Sequence, residues 1–313
     1  MFEFLLFLAV LPTLILGYII YSNDKIEKEP TPLLVKLLFG GVGSVIVTLV
    51  ITFGVLYQIA PFFSISNTAA LSPVSLAIYV FFGVALVEEF AKWIFLYGIA
   101  WKNKAFNHVY DAIVYSVFVS LGFATIENIL YVFMSSSVEE AIVIAINRML
   151  FSVPGHAFFG VMMGYNLGLA KLTFVNNKKN KTWKFIILSI LVPTICHFIF
   201  DYILMSSFIP MIFFYIFVVA LFAYGISKVK RLSKIPTNIF NDPNNMTYIY
   251  NAFGNNQMFN NQQQMYQQQV QYNNQYNNQA VSTAPINTQI KFCMKCGTPL
   301  NGCFCGRCGY KNY

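Results

Sequence analysis

The sequence predicts an all-α protein: a polytopic membrane bundle of about seven transmembrane helices, followed by a tail of different character. Three observations carry that expectation. Hydrophobic residues make up 57% of the 313 and charged residues only 10%, leaving more apolar side chain than a soluble globule could hide. The apolar residues gather into runs at roughly 2–22, 33–59, 74–101, 112–134, 143–170, 184–206 and 208–227, each near or above the roughly 20 residues that a spanning helix needs. After Lys234 the composition changes abruptly to Asn, Gln and Tyr.

The first run opens Met1-Phe2-Glu3-Phe4, with no basic segment ahead of it and no small-residue cleavage site before Tyr21. It reads as a retained helix, not a signal peptide. The last two helices are expected to be joined by a tight turn at Phe208-Ile209-Pro210. Orientation follows from Lys and Arg, which favour cytoplasmic loops. Fourteen of them flank the first, third and fifth loops or follow the last helix, from Lys25, Lys28 and Lys36 to Lys228, Lys230, Arg231 and Lys234; the alternate loops hold only Arg148. The amino terminus is therefore expected outside and the carboxyl terminus in the cytoplasm, as a multi-pass protein of a cell membrane, read as a bacterial plasma membrane. The net charge of +8 is then a topology signal and needs no nucleic-acid partner.

Three segments follow: a helix bundle over 1–235, an Asn/Gln-rich linker over 236–290, and a small module over 291–313. The linker cannot bury a core and reads as a disordered tether, with a reach on the order of 40 Å. In the module, Cys293-x-x-Cys296-Gly297 is followed by Cys305-x-x-Cys308-Gly309. Two such knuckles present four thiolates for tetrahedral zinc, the pattern of a zinc ribbon. Cys303 breaks the symmetry that Cys305 keeps. A reducing cytoplasm argues against disulfides, and a segment this short relies on metal to fold. Four protein ligands leave no open position, so this zinc is structural and the ribbon a docking module for a cytoplasmic protein partner. Cys196, alone in a helix, reads as a core residue.

The chemistry lies in the membrane part. A charge near the bilayer centre costs at least about 2.5 to 3.5 kcal/mol, so an ionisable residue there is a functional candidate. The third run holds Glu88, Glu89 and Lys92; the fourth Glu127, beside Asn128; the fifth His156; the sixth His197 and Asp201. Glu88 and Lys92, and likewise His197 and Asp201, are four residues apart and share a helix face, while Glu89 reaches Lys92 at three. Each helix offers one polar stripe, and four stripes can converge on one wet cavity. Taken singly, each group has a plainer reading as a buried ion pair or an interhelical hydrogen bond. Seven ionisable groups on four consecutive helices exceed what packing asks for. Adjacent carboxylates with histidines suit general acid–base activation of water; equally, His156, His197 and one glutamate form a His₂Glu set of the kind that holds catalytic zinc. The residues leave both open. A transporter or channel relaying protons or a cation is the rival of another class, without the internal repeat many transporters show. A third reading makes the membrane part an inert anchor for the ribbon.

The motifs resemble the PrsW intramembrane proteases, related more broadly to the CAAX prenyl protease and bacteriocin-processing superfamily. Glu88-Glu89-Phe90-Ala91-Lys92 looks like the family's EExxK, and Phe123 to Glu127, with Tyr131 trailing, like its FxxxE element. His156 stands where the family has a lone histidine, and His197 to Asp201 looks like its HxxxD. The match covers roughly residues 1–230. The resemblance implies hydrolysis of peptide bonds in a membrane-anchored protein substrate within the lipid bilayer, with Glu88 and Glu89 leading and the histidines supporting. It also implies a place in regulated proteolysis, such as the first cut of an anti-sigma factor. It leaves the mechanism, glutamic or metal-dependent, open, and the active-site metal unknown. Counting about 1.5 Å per residue places the site at mid-depth, tilted toward the outer half, which suits cleavage near the extracytoplasmic end of a substrate helix.

Overall fold

A computed structural model describes residues 2–24, 27–56 and 71–233; the Asn/Gln linker and the four-cysteine module lie outside the described residues. Among the described residues the elements are helices: α1 Phe2–Asn23, then α2 Thr31–Gly54, α3 Pro73–Ala100, α4 Asp111–Phe133, α5 Val138–Val175, α6 Lys179–Met205 and α7 Ile212–Leu232. All seven are long and apolar enough to cross a membrane. In hydrocarbon each backbone amide must be satisfied within its own segment, which leaves the helix as the element such runs can form. Large apolar side chains such as Leu14, Phe39, Val50, Ile187 and Val219 point outward and exposed, as a lipid-facing surface requires.

The centre of the bundle is α4, which packs on α1, α2 and α5; α3 lies against α2 and α6, α6 against α5, and α7 against α5 and α6. Small residues set the spacing. A methyl group built at Gly122 would sit 2.0 Å from the Leu38 carbonyl oxygen, and one at Gly41 2.0 Å from that of Val119, so α2 and α4 cross backbone to backbone. On α5 the stripe Gly160, Gly164 and Gly168 meets Ser116 and Ala112 of α4 and Val109 in the turn just before it in the same way, and Ser116 Oγ donates to the Gly160 carbonyl at 2.6 Å. This close approach carries the Glu127 turn of α4 to the His156 turn of α5.

Three helices widen locally. α2 turns π-helical from Thr52 at its end, α3 is π-helical over Tyr79–Ala85 and α5 over Arg148–Ser152. In α5 the cause is Pro154, whose ring crowds the preceding turn and which has no N–H to donate. A π segment takes up one extra residue, so the face presented before it is turned relative to the face after it.

Where the α1–α2 and α3–α4 loops meet, a polar cluster ties the elements together. Tyr115 donates its hydroxyl to Glu29, Asn107 Nδ2 donates to Glu27 Oε2 at 3.0 Å, and the amides of Asn107 and His108 donate to Asp111 Oδ2 at 2.9 and 2.6 Å. Glu29 is almost completely buried. Burial pushes its carboxyl up to about 7, with the Asp24 and Glu27 charges adding and the Tyr115 hydrogen bond opposing.

Candidate active site

The stripe on α3 is organised by Lys92. Its Nζ lies 2.7 Å from Glu89 Oε1 and 3.6 Å from Glu88 Oε2, donates to His156 Nδ1 at 3.1 Å, and sits 4.0 Å from the centroid of the Phe123 ring. Lys92 and Glu89 are wholly shielded from solvent. A desolvated ammonium persists only with such a set of partners. The closer ion pair is the one to Glu89, three residues away, not the one to Glu88, four away.

The α6 stripe closes on the same carboxylates. His197 Nδ1 lies 3.0 Å from Glu89 Oε1, and Nε2 lies 3.1 Å from Asp201 Oδ2 and 3.9 Å from Glu88 Oε2. Phe159 of α5 stacks on the His197 ring at 4.7 Å, fixing its plane. On the other side His156 Nε2 meets Glu127 Oε2 at 2.7 Å. Because an ammonium can only donate, the Lys92 contact leaves Nδ1 of His156 as acceptor and the proton on Nε2, which donates to Glu127.

These groups border a cavity of about 530 Å³ lined by Glu88, Glu127, Arg148, His156, His197 and Asp201 among aromatic and aliphatic side chains that include Tyr79, Tyr131, Phe159 and Tyr215. Met205 and Met211 also line it, so it reaches the end of the bundle where α6 turns into α7. Of the eight residues singled out in the sequence, five line the cavity. Glu89 and Lys92 stand behind them. Asn128 faces away, donating Nδ2 to the Ala9 carbonyl at 2.8 Å and accepting from Arg148 Nε at 3.0 Å.

Arg148 was legible only as a positive charge in a loop. It lies inside α5, with Nη2 2.7 Å from Glu127 Oε2 and its guanidinium 4.2 Å from the Tyr131 ring centroid. The signal that could have found it is the one that found the others, a charge within an apolar run.

The donor set fits a divalent metal. One ligand atom each from Glu88, His156 and His197 lies within 4.8 Å of the other two, and two histidines with one carboxylate is a set that holds catalytic zinc with an open position. Glu88 Oε2 is buried and receives no hydrogen bond, an acceptor without its donor. Four carboxylates, Glu88, Glu89, Glu127 and Asp201, face two permanent cations, Lys92 and Arg148; with every carboxylate ionised and both histidines neutral, as metal binding requires of the ligands, the excess is the charge of one divalent ion. Behind His197 the Glu89 carboxylate occupies the place from which such a group orients a ligating imidazole.

Seven helices able to span a membrane and a buried Glu/His/His group at the wall of a cavity are the parts that a metal-dependent intramembrane hydrolase requires. The chain belongs to the PrsW family of intramembrane metalloproteases, whose family profile matches residues 29–225. It is 35% identical over 239 residues to Protease PrsW of Clostridioides difficile (strain 630), a match covering 75% of this chain and 94% of that relative. It is 35% identical over 226 residues to Protease PrsW of Oceanobacillus iheyensis, covering 72% of this chain and 94% of the relative. With Protease PrsW of Bacillus subtilis (strain 168) the identity is 37% over 155 residues, 50% of this chain and 67% of the relative. No solved structure matches the chain. The chain is thus a multi-pass membrane peptidase, which answers the transporter and inert-anchor readings. All eight candidate residues fall inside the matched region, and the linker and cysteine module lie beyond it.

Proposed function

We propose that this peptidase cuts a membrane-anchored protein substrate near its extracytoplasmic end, at the site formed by Glu88, Glu89, Lys92, Glu127, Asn128, His156, His197 and Asp201. The observation that carries this is the convergence of Glu88, His156 and His197, from three helices, to within 4.8 Å of one another. The cavity reaches the end of the bundle opposite the lysine-rich loops, which the charge bias makes the outer end. A membrane-bound anti-sigma factor is the substrate class implied by the resemblance, with this cut the first of a cascade.

Glu88, His156 and His197 are the residues that would hold the metal, His156 with the Nδ1 lone pair that Lys92 occupies here, so that Lys92 would have to release it while Nε2 keeps its proton toward Glu127. When bound, the metal would supply a Lewis acid that activates water and polarises the scissile carbonyl. The chain's own groups do the rest. Glu89 holds the His197 ring through Nδ1, and Lys92 compensates the two adjacent carboxylates. Glu127, the cavity carboxylate beside His156 Nε2, is placed to take the proton of the attacking water and return it to the departing amine nitrogen. Phe159, Phe200 and Phe214 form the cavity's apolar wall. Asn128 serves indirectly, through Arg148.

Beyond the bundle, the four thiolates of Cys293, Cys296, Cys305 and Cys308 are proposed to hold a structural zinc, and residues 236–290 to tether that ribbon on the cytoplasmic side, where it selects substrates or binds a protein partner. Its test is deletion of residues 237–313, expected to alter substrate choice while leaving the chemistry intact; unchanged substrates and rates would remove the selector role.

The site is tested by reconstituting the full chain in liposomes with a single-span substrate and comparing wild type with Glu88→Gln and Glu89→Gln. Both variants are expected to lose at least about a hundredfold in kcat. Wild-type cleavage by both would end the assignment.

A further inference from the structure

We infer that Arg148 is a positioning residue of the peptidase, a fixed fork that sets the Glu127 carboxylate against His156; this rests on the site assigned above. Three contacts hold the guanidinium. Nε donates to Asn128 Oδ1 at 3.0 Å, Nη2 lies 2.7 Å from Glu127 Oε2, and the group stacks 4.2 Å from the Tyr131 ring centroid. Asn128 is itself immobilised, completely buried and bonded to the Ala9 carbonyl of α1. The oxygen that Arg148 meets is the one that accepts from His156 Nε2 at 2.7 Å. One carboxylate oxygen thereby accepts from a histidine of the site and lies in ion-pair contact with a guanidinium anchored to α1, whose Nη2 makes no hydrogen bond in this geometry.

The backbone of α5 makes this possible. Eight residues separate Arg148 from His156, and in a regular helix eight steps of about 100° place them about 80° apart. The π segment Arg148–Ser152 absorbs one residue, so the pair stands as if seven apart, within about 20° of one face. Arg148 is brought to the cavity wall, where its side chain is 14% exposed. A planar guanidinium can serve Asn128 and Glu127 at once, whereas a lysine ammonium cannot span both.

The test uses the full chain in liposomes with a single-span substrate, comparing wild type, Arg148→Lys, Asn128→Ala and the double variant, with Glu88→Gln as the dead reference. Arg148→Lys keeps the charge and removes the fork. It is expected to lower kcat about 10- to 100-fold, with KM within about threefold of wild type and unchanged thermal unfolding and membrane orientation. Asn128→Ala, which frees the fork from its anchor, is expected to lower kcat in the same direction, and the double variant to fall no further than Arg148→Lys alone. Wild-type kcat in Arg148→Lys would overturn the inference and reduce Arg148 to a charge. A change confined to KM would make it a substrate contact, and additive losses would uncouple it from Asn128; either overturns the fork. If Arg148→Lys does not fold, Asn128→Ala decides: full activity there defeats the proposal. An active Glu88→Gln would instead overturn the site itself, whatever Arg148 does.

Discussion

Lys92 Nζ on α3 lies 3.1 Å from His156 Nδ1 on α5, with the lysine wholly buried and the histidine nearly so. That contact joins two halves of the site. On one side Lys92 compensates Glu88 and Glu89; on the other it dictates which nitrogen of His156 carries the proton. Lys92→Gln is expected to leave the two carboxylates uncompensated and His156 free to change tautomer, lowering kcat by about 10²-fold or more at similar substrate affinity. Steady-state kinetics in liposomes check this; a wild-type kcat would show that the ammonium is only structural.

Removing metal should remove activity. Dialysis of the purified protein against a chelator is expected to abolish cleavage, and a divalent ion to restore it. A Cys293→Ser/Cys296→Ser/Cys305→Ser/Cys308→Ser background confines metal analysis to the bundle, where about one ion per chain is expected and His197→Ala should lose it. Full activity in the demetallated protein would favour direct activation of water by the glutamates.

Asp201 lies 3.1 Å from His197 Nε2 and lines the cavity. Asp201→Asn keeps the shape and removes the charge, and is expected to lower activity about 10- to 100-fold. The effect should appear in kcat, because the residue acts on a catalytic histidine.

The α2–α4 crossing gives a stability prediction independent of chemistry. Gly122→Val drives a side chain into the Leu38 carbonyl and is expected to cost about 3 kcal/mol or prevent folding. Gly98→Ala is the control, since a methyl there meets nothing within 4 Å. Thermal unfolding in detergent separates the two, and equal unfolding midpoints would refute the close crossing.

The Glu29 carboxyl, raised from its ordinary 4.5 to about 7, predicts a pH dependence of stability. The folded state holds this proton more tightly than the unfolded chain, so stability from this group is full below about pH 4.5 and declines as pH rises toward 7. Glu29→Gln is expected to flatten that decline and stabilise the protein by about 2 kcal/mol at pH 8. Unfolding midpoints measured from pH 5 to 8 check the sign. A wild-type midpoint that rises through this window while the variant's stays flat would contradict it.

The helices were legible because a segment in hydrocarbon must satisfy its backbone alone, so length and apolarity announce each one locally. The expected runs at 74–101 and 112–134 and the observed α3 and α4 differ by a residue at each end. The intramembrane charges were legible for the same reason: Glu88, Glu89, Lys92, Glu127, His156, His197 and Asp201 stand out against carbon and hydrogen. Pairing within a helix was legible too: periodicity put Glu88 and Glu89 both in reach of Lys92 and His197 in reach of Asp201. Pairing between helices was not, such as the engagement of Glu89 by His197. Asn128 read as part of the chemistry because it adjoins Glu127, but its neighbour in sequence points to the cavity while it points to α1. Arg148 stands as a charge within the run 143–170 but was counted with the loops; the face it presents was not legible, because a π segment shifts it and periodicity at 3.6 residues per turn cannot register an inserted residue. What the sequence alone determined is therefore the set of helices and the inventory of polar groups within them. Only the tertiary structure decided which of those groups meet, because partner choice among buried charges depends on helix rotation and close backbone crossing, and both are set by contacts far apart in the chain.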